Sequence, residues 1–144
     1  MGDKLRGWVM RHLTGAMVLG FVLMAGSAQA VEWSYVGETD PGDASFVQYI
    51  DRETIRRNGN TARAWTLRDY ARPQTKSYAT YSSSLNLDEY DCTEQRARDL
   101  QISVFSGNMA SGGVVNSADY NTEEWSYVAP GTIGESLMEA ACGR

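Results

Sequence analysis

Cys92 and Cys142 are the only cysteines of the chain, and the pair, about 50 residues apart, restricts the fold more than any other feature. Whether they bond depends on the compartment, and the N-terminal residues speak to that. Lys4, Arg6 and Arg11 make a basic start, Leu13 to Ala25 is apolar apart from Thr14 and glycines, and Ala28-Gln29-Ala30 is a small-x-small sequence. Basic, apolar and small-residue zones in that order are the layout of a secretory signal peptide, here expected over residues 1–30 with the cut after Ala30. The apolar zone of about a dozen residues is short of the roughly 20 that cross a bilayer, which makes a retained anchor the lesser alternative. No cysteine adjoins the cut to carry a lipid. Two cysteines in an exported chain then read as one disulfide. A free thiol pair is the remaining alternative, since structural zinc usually takes four ligands and redox pairs favour Cys-x-x-Cys. Closing a loop of this length stabilises a fold by roughly 4 kcal/mol in the chain-entropy account.

Residues 31–144 are enough for one domain. The leader holds three of the 13 Lys and Arg and one of the 18 Asp and Glu, so the remainder has 10 against 17, a formal charge of −7. Nucleic-acid binding rests on neutralising phosphates, and this balance argues against it. The only histidine, His12, leaves with the leader. Histidine-based triads are thereby excluded, along with the commonest transition-metal ligand.

Period-two alternation dominates the rest. Strands are expected at Trp33–Val36, Ala44–Asp51, Thr61–Tyr70, Ser77–Tyr90 and Val114–Ser117, with loops at 37–43, 71–76 and 108–113. Arg52–Arg57 suggests a single helical turn, and Asn58-Gly59 a tight turn. Residues 91–107 are read as one long strand that places Cys92, Leu100, Ile102 and Val104 on one face with Arg96 and Arg98. At the C-terminus, Thr132 with Glu135 is a capping box, Ile133, Leu137, Ala140 and Ala141 share a helical face, and Gly143 sits just past the end. The disulfide would staple this helix, by its apolar stripe, to an antiparallel sheet.

The pentapeptide Glu-Trp-Ser-Tyr-Val occurs at 32–36 and again at 124–128, in unlike surroundings. One domain cannot contain two copies of itself at that offset. We read both as strands with two rings on one face, the first and last of one sheet, a pattern that allows them to be neighbours.

Candidate chemistry is sparse. Asp88, Glu89 and Asp91 cluster before Cys92, and Glu123-Glu124 precede Trp125, but a glycosidase pair needs a cleft and a raised pKa. The first cluster also lacks the glycine and spacing of an EF-hand. Neither catalysis nor a metal or other cofactor is expected. Seven of the ten positive charges, Arg52, Arg56, Arg57, Arg63, Arg68, Arg72 and Lys76, fall within residues 52–76. They read either as a face for an acidic partner or as arginines paired with Asp51, Glu53 and Asp69.

The segments FVQYIDRETIRRNGNTARAWTLRDYARPQ, YSSSLNLDEYDCTEQRARDLQISVFSG and EWSYVAPGTIGESLMEAAC, in this order, resemble the surface-adhesin protein E-like domain family over nearly all of residues 32–142. The resemblance implies an α+β fold, an antiparallel sheet of about six strands with a C-terminal helix held on it by the cysteine pair. It also implies a non-enzymatic binding domain, located in the periplasm or at the cell surface, with homodimer formation as an option. The founding adhesin is an outer-membrane lipoprotein that binds vitronectin, laminin and plasminogen. Its basic segment for vitronectin corresponds here to Arg72 and Lys76, and Arg56 and Arg57 complete the partner-binding set we expect. The alternative is a periplasmic accessory protein that binds another envelope protein.

Overall fold

The computed structural model describes residues 30–120 and 124–144. All of the leader but Ala30 lies outside the described residues, as does Glu123. Eight strands form one antiparallel sheet: β1 (Trp33–Glu38), β2 (Phe46–Asp51), β3 (Arg56–Asn58), β4 (Thr61–Lys76), β5 (Ala79–Asp91), β6 (Arg96–Phe105), β7 (Val114–Asp119) and β8 (Ser126–Tyr127). Six of them run in the order β1-β2-β4-β5-β6-β7, while β3 pairs with β4 and β8 with β6. One helix, α1 (Ile133–Cys142), closes the chain. No helix among the described residues is long and apolar enough to cross a membrane.

Period two gives the sheet two faces. On one, Ile50, Ala62, Ala64 and Tyr90 meet Leu137, Met138 and Ala141 of α1, with Val36, Ile55, Ala97, Val128 and Ile133 packed around them. Ala62 and Ala64 are wholly buried and small, so α1 lies close against β4. Larger side chains there would lift it off, because a close-packed interior has no slack for extra methylenes. The helix begins as its caps dictate: the Thr132 hydroxyl accepts from the Glu135 amide (3.3 Å), and the Glu135 carboxylate accepts from the Gly131 amide (2.6 Å). It ends at Gly143, whose φ of 77° lets its amide turn back to the Glu139 carbonyl at 2.9 Å.

Three ties converge on that end. Cys142 is bonded to Cys92 with 5.8 Å between the Cα atoms. The Arg57 Nε donates to the Ala141 carbonyl (2.8 Å), and the Arg144 guanidinium donates to the Cys92 carbonyl. A ten-residue helix is too short to persist alone, so its stability is tertiary.

Several local expectations are corrected. Residues 91–107 are not one long strand: β5 ends at Asp91, Cys92–Gln95 is the turn of the β5–β6 hairpin, and only Arg96–Phe105 is strand. Asp91 drives it by accepting from the amides of Thr93 (3.1 Å) and Glu94 (3.0 Å), and Gln95 adopts the left-handed region at φ 54°. The 71–76 connection belongs to β4: pairing with β5 lapses after Asp69 and resumes at Gln74, and Pro73 falls in the lapse, where no ladder amide is required. The helical turn expected at 52–57 is a single 3-10 turn, Arg52–Thr54, capped by Asp51 and followed by β3. The first pentapeptide copy supplies most of β1, but of the second only Ser126 and Tyr127 are strand, with Trp125 in the loop before β8; β1 occupies one edge and β8 pairs with β6, so the copies are not neighbours.

Replacing both cysteines by serine is expected to lower the unfolding free energy by about 4 kcal/mol, read from urea titrations of residues 31–144. Amides of α1 should lose hydrogen-exchange protection before those of β4 and β5.

Candidate functional site

The three clustered carboxylates do not form a pair across a cleft. Consecutive strand residues point to opposite faces, so Asp88 faces α1's side of the sheet and Glu89 the other. Glu89 is buried between two guanidiniums, Arg63 Nε at 2.7 Å and Arg98 Nε at 2.7 Å, from the flanking strands β4 and β6. Trp125, from the second pentapeptide, lies over both Arg98 (4.4 Å to the ring centre) and Arg96 (5.1 Å). Arg96 in turn bonds Asp91 at 3.0 Å. The second copy of the repeat thus roofs an ion ladder with its indole, a stacking arrangement suited to guanidinium planes.

Burial pushes Glu89 up, but hydrogen bonds from Arg63 and Arg98 and their charges outweigh it, and the carboxyl is held below its ordinary value. The Glu94 amide lowers Asp91, with help from Arg96 and the Thr93 amide against the opposing effect of burial. Asp88 moves the other way. Burial raises it to about 6, reinforced by Asp99 opposite it on β6 and countered by the Thr66 and Tyr90 hydroxyls and the Arg68 charge. Thr66 Oγ1 donates to its Oδ2 at 2.8 Å and the Tyr90 hydroxyl at 3.2 Å. Its Oδ1 is unpartnered, as are Ser84 Oγ and Asn86 Oδ1 on the same face of β5. Among the described residues no group of three or more His, Cys, Asp or Glu could hold a metal.

The basic segment is divided by its own extension. Arg57 is engaged at the helix C-terminus, and Arg56 Nη1 donates to the carbonyls of Glu53 (2.8 Å) and Ile55 (2.9 Å). Arg68 Nε bonds Gln48 Oε1 at 3.2 Å and lies over Phe46. Arg72 and Lys76 are at the far end of β4, up to about 50 Å of extended strand from the disulfide end. Arg56 and Arg57 are consecutive in β3 and have separate partners, Arg72 and Lys76 are four residues apart on the arm, and the structure does not gather the four into one patch.

That far end is a projecting arm. The β4–β5 hairpin closes through Ser77 and Tyr78, both left-handed (φ 49° and 68°), a two-residue turn built without glycine or asparagine. Tyr78 is fully exposed at the tip. Below it the Thr75 and Thr80 hydroxyls bond at 3.0 Å, and Gln74 Nε2 ties the arm to the Asp43 carbonyl at 2.8 Å. Arg72 makes an exposed 2.8 Å pair with Asp43, whereas Lys76 makes no ion pair among the described residues. An edge-to-face stack of Phe46, Tyr70 and Tyr81 supports the base. Behind the arm is a groove of about 280 Å³ with Lys76 at one wall and Tyr81, Ile102, Val104 and Ala118 among its lining. Tyr78 carries no sequence signal of exposure, since Ser-Tyr is not a usual turn pair. The Asp88–Asp99 opposition becomes visible only with the register.

The family described as Surface-adhesin protein E matches residues 33–143, and the chain belongs to it. Among solved structures, Haemophilus influenzae protein E in crystal form II has a similar fold, with a TM-score of 0.52 at 11% identity over 76% of this chain and 87% of that one. No curated protein matches the chain in sequence.

The opposed pKa shifts make a pH prediction. A raised carboxyl costs stability as pH climbs from its unfolded value through its folded one, so the Asp88 cost grows across roughly pH 4 to 6 and is complete above. A lowered one, Glu89, contributes stability above the ordinary carboxylate range and loses it as pH falls through the folded value. Asp88→Asn keeps an acceptor for Thr66 and Tyr90 and should stabilise the protein by about 1–3 kcal/mol near pH 7, with the gain gone below about pH 4. Urea titrations of both forms across that range read the difference directly.

Proposed function

We propose that this chain is an exported, non-enzymatic binding domain that grips a protein partner with the β4–β5 arm. The observation that carries the reading is the arm's tip, where Tyr78 is fully exposed two residues beyond Lys76 on a left-handed turn held by neighbouring hydrogen bonds, with Arg72 lower on the same arm. An exposed tyrosine flanked by cations suits protein recognition, since Tyr and Arg anchor interfaces disproportionately. Strained turns concentrate where the surrounding structure holds them for a purpose. Family membership supports a surface-adhesin type of binding, and host matrix or plasma proteins are then the partners to test first. Arg56 and Arg57 are a separate, weaker part of the proposal, since both donate to backbone carbonyls.

A second reading, a periplasmic accessory protein that binds another envelope protein, is favoured by the absence of a cysteine beside the Ala28-Gln29-Ala30 cut. Fractionation separates the two. Protein released by osmotic shock and untouched by surface labelling of intact cells supports the second reading and excludes direct adhesion.

Binding of the mature chain to immobilised vitronectin, laminin and plasminogen tests the first. The Arg72→Ser, Lys76→Ser, Tyr78→Ser triple variant should bind at least about 100-fold more weakly, the scale of losing one interface anchor and two peripheral charges. Its residual binding should also depend less on salt. Equal affinity of the two forms would discard the arm as the contact.

A further inference from the structure

The two edges of the sheet are treated differently. β1 is bulged between Tyr35 and Gly37, and Gly37 lies under Ile133, so α1 overhangs that edge. At the other edge, among the described residues no strand pairs with the outer side of β7, and β8 continues along β6 instead. All six residues of β7 are exposed, and Val-Val-Asn-Ser-Ala-Asp contains neither Lys nor Pro nor Gly. Edges of stable proteins are usually blunted by such residues, by bulges or by a cover. This one is bulged at Val115, between the Val104–Asn116 and Phe105–Val114 pairs, but from Asn116 to Asp119 it is bare.

Register settles which backbone groups face outward. The Tyr120 amide donates to the Leu100 carbonyl at 2.8 Å, and Asp119, Ala118, Ser117 and Asn116 follow opposite Gln101, Ile102, Ser103 and Val104 without a shift. Hydrogen-bonded and open pairs alternate in an antiparallel ladder, so Ala118 and Asn116 bond β6. Ser117 and Asp119 therefore turn their N–H and C=O groups away from the sheet, and Val115 is the extra residue of the bulge. The Ser117 amide is met by the Asn116 side chain, Oδ1 at 2.9 Å, a local cap that a stronger acceptor can displace. Asn116 and Ala118 line the groove behind the arm, whose only charged lining residue among the described residues is Lys76.

We infer that β7 is a strand-addition site: it takes an extended polypeptide segment of a partner protein, with small or apolar side chains and one carboxylate aimed at Lys76. A row of outward amides and carbonyls selects an extended backbone, because only that geometry answers them at the ladder spacing. The apolar floor of Tyr81, Ile102 and Val104 selects alternate apolar side chains, and Lys76 selects the acid. The inference rests on the reading of the chain as a protein-binding domain, but it uses a different element from the arm tip.

The test uses the mature chain, labelled for amide hydrogen exchange, and a blocked synthetic peptide of alternating threonine and valine carrying one glutamate. Exchange at Ser117 and Asp119 should slow about ten-fold or more when peptide is added, as for amides entering a main-chain hydrogen bond. Ser117→Pro removes one outward N–H without touching the β6 ladder, a substitution edge strands tolerate, and should weaken peptide binding about ten-fold. Lys76→Glu should reverse the preference, favouring a peptide with lysine in place of glutamate, and it needs no change within β7. No protection at the two amides, or indifference to both variants, overturns the proposal. So does protection that needs no peptide and grows with protein concentration, which would assign the edge to a second copy of the chain. Lys76 serves both sites, so the host-protein assays read out separately with Arg72→Ser and Tyr78→Ser alone: loss of binding there with intact peptide addition here leaves the edge standing, and the reverse leaves the arm standing.

Discussion

The seating of α1 on Ala62 and Ala64 is the contact on which the rest depends. A single sheet has no interior, and its apolar face must be covered by another layer before burial can offset chain entropy. A ten-residue helix supplies that layer here, and it covers only the end of the face around Ile50, Tyr90 and Ala97. The disulfide, the Arg57 bond to Ala141 and the Arg144 bond to Cys92 all hold the last turn of that helix. Neither layer is stable without the other, and the cross-link keeps their separation small even when the contact opens.

Beyond the helix the two faces divide their labour by polarity. On α1's side the sheet continues into a buried polar row of Ser84, Asn86 and Asp88 and an aromatic stack of Phe46, Tyr70 and Tyr81. On the opposite side Arg63, Glu89, Arg98 and Trp125 form a ladder across three strands and the loop before β8. Charge buried in this way adds little net stability, but it fixes register, because shifting any strand by one residue would strand Glu89 between unlike neighbours. That bears on the surfaces proposed for binding, whose geometry is inherited from the register of β4, β5, β6 and β7.

Elements with a local signature were legible in the sequence. The caps of α1 at Thr132, Glu135 and Gly143 are short-range hydrogen-bonding devices, and the helix stands where they put it. The disulfide followed from the reading of an exported chain, and β2 and most of β5 from alternation. Turns made without glycine or proline were hidden. Cys92–Gln95 depends on Asp91 accepting two amides, and Ser77-Tyr78 on a backbone geometry that neither residue advertises. The site was less legible than the fold. Arg56, Arg57, Arg72 and Lys76 are close in sequence, but along a strand such closeness becomes distance, and β4 carries the second pair far from the first. Likewise the pentapeptide repeat is one alternation used twice. Trp125 roofs arginines at one side of the sheet while β1 forms the opposite edge.

The direction of the strands has a mechanical meaning. Trp33 pairs with Asp51, so the chain enters the sheet at the end where the cysteines are, and Tyr78 projects from the opposite end. A pull between a tether upstream of Trp33 and something held at the hairpin tip runs lengthwise along the ladder. The interstrand bonds then bear the load in shear, many at once, instead of parting one after another. Rupture under tension is governed by the unfolding barrier rather than by equilibrium stability, and this loading direction is the one in which a sheet resists longest.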